Sequence, residues 1–343
     1  MHVVPPATRW LTLLLGFGLI ASGGAPLTDA RGKHHSLAAV AHVAPMTPPA
    51  APPHAPPVDG EPAVRPHVLT RVVAIGASAT YGFGVEIRVP KKPAPPRPAG
   101  EGETDGETAV DTEIHRVPLG LVIDAAIMRQ HEPVRTYANL GFFGNPTVIG
   151  PRLAVAASKV NPTLIVAADF LFWFGYGHAD PQRRLITDEA QRLDLLEEGL
   201  KHLEIFTCPV IVGDFPDMSP AVGLMLRAEQ APRPETLKAM NNRIREWAAA
   251  RPNIIVMPLG EMIERIGRGE AITIGQQSWT ADEAKNFVLF DKLHPSLDGL
   301  IAITHLIVRQ VMESELGADE ADFTLDRETM LTRLRERLMK LAG

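Results

Sequence analysis

Five short apolar runs constrain this chain more than any other feature: RVVAI (71–75), VRTYANL (134–140), TLIVAA (163–168), PVIVGD (209–214) and NIIVMPL (253–259). Most of them are apolar at consecutive positions, so neither face of the strand is meant for water. That pattern belongs to strands of a parallel sheet covered by helices on both sides. Helical patterns fill the gaps, at about 117–130, 148–159, 186–206, 234–250 and 296–314. The third is the most regular, with leucines at helical spacing in LDLLEEGLKHLEIF and charges opposite them. Alternation of this kind predicts an α/β fold, a three-layer α/β/α sandwich around a flavodoxin-like parallel sheet of about five strands. Ligands of open sheets bind outside the carboxyl ends of the strands, so the loops after these five runs are where chemistry is expected.

Outside the runs the composition changes. Residues 1–30 place Arg9 ahead of WLTLLLGFGLIA and the small-residue stretch SGGAPLTDA. A charged start, a short apolar segment and a small-residue exit read as a secretory signal peptide, with cleavage near Ala25 or Ala30; an uncleaved N-terminal anchor is the alternative. Residues 31–68 are an Ala/Pro-rich tether, which neither helix nor sheet can cross. Residues 69–316 form the expected globular domain, interrupted at about 88–114 by a Pro- and Gly-rich segment with almost nothing to bury, expected to be a disordered insertion. Residues 317–343 contain LDRETMLTRLRERLMKL, the pattern of a C-terminal helix packed on that domain. A net charge of −6 provides no basic field for nucleic acid. Cys208 is the only cysteine, which excludes an intramolecular disulfide and a cysteine-based metal site. The histidines at 34, 35, 42, 54 and 67 lack the spacing of a metal site.

Ser78 lies just past the first run, in VVAIGASATYGFGV (72–85). The glycine spacing fits neither a dinucleotide fingerprint nor a phosphate loop, and Thr80 stands where a G-x-S-x-G elbow has its second glycine. On this stretch alone Ser78 either caps a turn or acts as a nucleophile. A nucleophilic serine needs an imidazole to take its proton and a carboxylate to orient that imidazole. Asp291 and His294, in FDKLHPSLDG (290–299), supply both types three residues apart, just before a helix beginning near Ser296. A local turn cap and a surface histidine remain the other reading of that pair.

Together these stretches resemble the SGNH hydrolases, also called the GDSL family. VVAIGASATYGFGV resembles the family's first block, in which a strand ends in Gly-Asp-Ser, and FDKLHPSLDG its last, Asp-x-x-His-Pro. YANLGFFGNPTVIGPRL (137–153) resembles the second block, a strand ending in Asn followed by a glycine-containing loop and a helix. Two departures stand out. Ala77 replaces the aspartate before the serine, and DFLFWFGYG (169–177) carries no Gly-x-Asn-Asp. The third block is therefore degenerate. Asp169 at that position cannot act as the missing amide donor while it is ionised, because a carboxylate repels an oxyanion; hydrogen bonding to neighbouring loop amides is the alternative.

The resemblance implies Ser78 as nucleophile, His294 as general base and acid, Asp291 as its orienting carboxylate, and the amides of Ser78 and Gly144 as the oxyanion hole. Asn145, Asp169, Trp173 and Tyr176 are the expected substrate-binding residues, the aromatic pair as an apolar wall or stacking platform. The expected function is cleavage of an ester by a Ser-His-Asp triad, with a small acyl or acetyl ester on an envelope glycan or lipid as substrate. The alternative is a catalytically weakened carbohydrate- or lipid-binding module of the same fold. No metal or organic cofactor is required. The expected location is secreted or periplasmic, with envelope association through the N-terminal segment.

Overall fold

The computed structural model describes residues 66–91, 112–177, 184–186 and 188–341. The expected signal peptide, most of the expected tether and the centre of the expected insertion lie outside the described residues. The chain enters through β1 (Val72–Gly76), makes the one-turn helix α1 (Ser78–Tyr81), and passes through β2 (Glu86–Pro90) and β3 (Thr112–Arg116) to α2 (Leu119–Ala126). It continues through β4 (Arg135–Ala138), α3 (Pro146–Ser158), β5 (Leu164–Ala167), α4 (Phe172–Tyr176), α5 (Glu189–Leu203), β6 (Val210–Gly213) and α6 (Pro234–Ala249). The last third holds β7 (Ile254–Met257), α7 (Leu259–Gly267), β8 (Ile272–Ile274), β9 (Gln277–Trp279), α8 (Ala281–Ala284), α9 (Leu297–Glu313) and α10 (Arg327–Leu341).

The five apolar runs become one parallel sheet in the order β4-β1-β5-β6-β7. In order of appearance this is second, first, third, fourth, fifth, the flavodoxin-like arrangement, and the direction of growth reverses between β1 and β5. The period-2 geometry of a strand explains why consecutive positions are apolar. Leu164 and Val166 on β5, with Ala168 just after it, enter the core shared with α2, α7, α9 and α10, while Ile165 and Ala167 enter the opposite core. The latter is shared with α3, α4, α5 and α6.

Four features differ from expectation. The insertion is narrower, because residues 86–90 and 112–116 pair as an antiparallel ladder from Glu86↔Arg116 to Pro90↔Thr112. Ile87 and Val89 alternate with Glu86 and Arg88, and Val89 is buried; the prolines alongside hide this strand pattern. The C-terminal helix starts only at Arg327, and Arg333 donates from its side chain to the carbonyls of Ala125 and Ile127, both at 2.6 Å. Those carbonyls lie at the end of α2, where helix acceptors lack internal partners. Helix α7 and the hairpin β8–β9 are additional elements. The sequence LGEMIERIG places Leu259, Met262, Ile263 and Ile266 on one helical stripe, but over only nine residues.

His305 on α9 is buried, with neither ring nitrogen hydrogen-bonded, and its ring meets Trp279 at 5.1 Å. Burial pushes its pKa down to about 4. The unfolded chain therefore takes up this proton first: stability is unaffected above the ordinary histidine value of about 6.5 and falls as pH drops from there towards 4. The full loss is about 3 kcal/mol. His305→Leu should flatten this slope, so denaturant midpoints at pH 7 and pH 4.5 lie closer together in the variant than in the wild type.

Candidate active site

Three chain segments meet at the carboxyl end of the sheet, at its switch point. The first follows β1, where α1 begins at Ser78 with Ala77 in the N-cap position and no side-chain cap of its own. The cap comes from the neighbouring strand. Asp169, just past β5, accepts hydrogen bonds from the amides of Ala77 (3.1 Å), Ala79 (2.8 Å) and Thr80 (3.3 Å) and from the Thr80 hydroxyl (2.5 Å). A carboxylate placed this way satisfies the orphan donors of a helix start and complements its dipole. The amide of Ser78 is the one this carboxylate skips, and it has no acceptor among the described residues.

The close approach dictates the glycines beside it. A Cβ on Gly76 would lie 2.0 Å from Asp169 Oδ1 and 2.4 Å from Thr80 Oγ1. Gly82 ends α1 at φ +76°, and a Cβ there would lie 2.0 Å from the Val117 carbonyl oxygen. Both positions exclude a side chain.

The second segment is the turn before α9. Asp291 Oδ1 accepts from the amides of Leu293 and His294, both at 3.0 Å, while Oδ2 faces His294 Nδ1 at 2.7 Å. Lys292, between them, sits at φ +60°, and the turn is closed by Leu289 N–H donating to His294 O at 2.8 Å. Ser296, beyond Pro295, caps α9 by accepting from Gly299 N–H at 3.1 Å. Asp291 and His294 are buried, 5% and 4% exposed. Burial alone would raise the Asp291 pKa, but the hydrogen bonds from the His294 ring and amide and the Leu293 amide outweigh it and hold the carboxyl below its ordinary value. An ionised Asp291 assigns the proton to Nδ1, which leaves Nε2 as the basic nitrogen. The Phe83 ring packs on the imidazole, centroids 4.4 Å apart.

Ser78 and His294 wall the same cavity, of about 70 Å³. Phe172, Met218, Leu259, Met262, Phe287 and Ile303 complete its apolar sides. Asp169 also reaches the cavity, but its two oxygens already accept four hydrogen bonds. It braces the serine loop from the cavity wall.

The third segment is the loop after β4, the strand beside β1. Gly144 closes a 3₁₀ turn there (Leu140–Gly144), and Asn145 occupies the N-cap position of α3 without a side-chain capping bond. Neither walls the cavity, and Asn145 Oδ1 is buried without a hydrogen-bond partner. Trp173 and Tyr176, expected on the substrate side, point into the core instead, 6% and 0% exposed. The one-turn α4 explains the exchange: Phe172 reaches the cavity and stacks on Tyr176 at 4.3 Å. The Tyr176 hydroxyl donates to Pro216 O at 2.8 Å and accepts from Met218 N–H at 3.2 Å, bracing the loop after β6.

Other nucleophiles and ligands do not compete. Burial pushes the Cys208 thiol up to about 11, which leaves it an inert half-buried group. Among the described residues no group of three His, Cys, Asp or Glu side chains is placed to hold a metal ion, and no helix is long and apolar enough to cross a membrane.

No family model matches the chain, and no curated protein matches it. Among solved structures it is similar to the crystal structure of TesA, 13% identical with a TM-score of 0.39, over 71% of this chain and 99% of that one. It is also similar to a gut microbial diltiazem-metabolizing enzyme, 14% identical with a TM-score of 0.40, over 72% of this chain and 48% of that one. Likeness at this level assigns no activity.

The Asp169 anchor makes a stability prediction. Gly76→Ala should destabilise the fold by about 2 kcal/mol or more, as overpacking against a fixed group does. In an Asp169→Ala background the same change should cost measurably less, because one of its two collisions is gone. Denaturant unfolding of the four proteins in this cycle gives the coupling directly.

Proposed function

We propose that this chain is a serine ester hydrolase with Ser78, His294 and Asp291 as its triad. The observation that carries the proposal is the shared cavity: a buried imidazole, tied through Nδ1 to a carboxylate at 2.7 Å, walls the same apolar space as Ser78. In the proposed reaction Ser78 Oγ attacks the ester carbonyl carbon while His294 Nε2 takes the hydroxyl proton, and Asp291 stabilises the imidazolium. The tetrahedral intermediate collapses as His294 returns the proton to the departing alcohol. Water, activated by the same imidazole, then attacks the acyl-serine and releases the acid.

The Ser78 amide, left without an acceptor by Asp169, is the first proposed oxyanion donor. The Gly144 amide, the second donor that the resemblance implies, lies on the loop of the adjacent strand and outside the cavity lining. Asp169 brings a negative charge towards a developing oxyanion, whereas a neutral amide donor there is typically worth about a hundredfold to a thousandfold in kcat. Turnover should therefore be slow for a triad enzyme. The cavity volume of about 70 Å³, against about 300–1,000 Å³ for pockets that enclose drug-sized ligands, favours a small acyl group. The charged, apolar and small-residue order of residues 1–30 supports action outside the cytoplasm, and an ester carried by an envelope glycan or lipid is the substrate proposed there.

Hydrolysis of 4-nitrophenyl acetate tests the reading. Wild type should turn over the ester, Ser78→Ala should abolish turnover, and Asp291→Asn should lower kcat by about 10³–10⁴ through loss of the productive tautomer. A folded wild type that binds acylated glycan or lipid but hydrolyses no ester would favour a binding module.

A further inference from the structure

Five of the residues that wall the cavity beside Ser78 and His294 come from two helices: Leu259, Met262 and Ile263 from α7, Gly299 and Ile303 from α9. Both helices start at the carboxyl end of the sheet, since α7 follows β7 directly and α9 follows the turn that carries Asp291 and His294. Leu259 and Gly299 wall the cavity near the two helix starts; Met262, Ile263 and Ile303 wall it three or four residues further on. At a rise of about 1.5 Å per residue that is about 5–6 Å deeper. Met262 and Ile303 are each 5% exposed and belong to the hydrophobic core on this side of the sheet.

The chemistry of the walls selects what enters. Past Ser78, Asp169 and His294 the lining side chains are aliphatic, aromatic or proline, with no hydroxyl, amide or charge. A sugar or other polyhydroxy group would lose its hydrogen bonds to water there and gain none, at a cost an alkyl chain does not incur. At about 70 Å³ the cavity lies far below the ~300–1,000 Å³ of pockets that enclose drug-sized ligands, which suits a short chain and not a long one. Building on the hydrolase reading above, the geometry points to an acyl subsite between α7 and α9 that takes a short, unbranched alkyl chain, with Met262 and Ile303 as the residues that set its length. The alcohol part of the ester stays outside, towards solvent.

The test is a chain-length profile of kcat/KM on 4-nitrophenyl acetate, butyrate, hexanoate and octanoate. Wild type should peak at acetate or butyrate and fall at least tenfold by octanoate. Met262→Ala and Ile303→Ala should each raise the hexanoate-to-acetate ratio by about tenfold or more, since one methylene in an apolar pocket is worth about 10–200-fold. Ile263→Phe, which fills space without opening the core, should lower the butyrate-to-acetate ratio. A wild-type profile that is flat or rises to octanoate overturns the subsite, as do folded variants whose ratios equal those of wild type. If both alanine variants fail to fold, Ile263→Phe decides alone, and an unchanged butyrate-to-acetate ratio overturns the assignment. Absence of cleavage of all four esters overturns the hydrolase reading and the subsite with it, whereas cleavage with the wrong profile overturns the subsite only.

Discussion

The carboxylate of Asp169 organises the serine end of this molecule. It rises from the strand next to β1 and takes three amides and one hydroxyl of the segment 77–80, so the loop after one strand is held by the end of another. An ionised acceptor is suited to the task, because hydrogen bonds to charged groups contribute more than neutral ones and the helix start presents several donors at once. The same contact explains Gly76, which has no room for a Cβ, and Ala77, which needs no polar side chain where the cap is supplied from outside. It also separates the Ser78 amide from its neighbours: theirs are consumed and its own is not.

The histidine end is built on a different principle, from a turn in which the hydrogen bonds of Asp291 are all local. Asp291 binds the two amides that follow it and the imidazole three residues on, which fixes ring and backbone together. Ser296 then starts α9, whose largely buried length anchors the turn in the core. Two rigid supports, one long-range and one local, thus bring Ser78 and His294 to one cavity without either loop depending on the other. Phe83 from the serine side closes over the imidazole and joins them.

The sheet was legible because most of its strands carry their own signature: with both faces buried, residues such as Leu164–Ala167 are apolar without interruption. The pair Asp291 and His294 was legible for a similar reason, being set by sequence-local geometry. What depends on distant partners was not. Nothing in FWFGY says which aromatic faces the core; that is decided by the pitch of a five-residue helix and by the Pro216 and Met218 groups that Tyr176 meets forty residues later. Met262 and Ile303 were invisible as cavity walls because they share the composition of the core they belong to. Gly144 and Asn145 sit in the loop of the neighbouring strand, whereas part of the cavity wall comes from α7 and α9, and α7 was not expected at all.

The central claim is that Ser78 is activated by His294. Peptide mass spectrometry after treatment with a fluorophosphonate measures this most directly, because the reagent phosphonylates a serine only where a base has made it nucleophilic. The account predicts one adduct, on the peptide containing Ser78, present in the wild type and lost in His294→Ala while the fold is retained. An unmodified Ser78 in folded wild-type protein, or a Ser78 adduct that survives His294→Ala at the same rate, would contradict it.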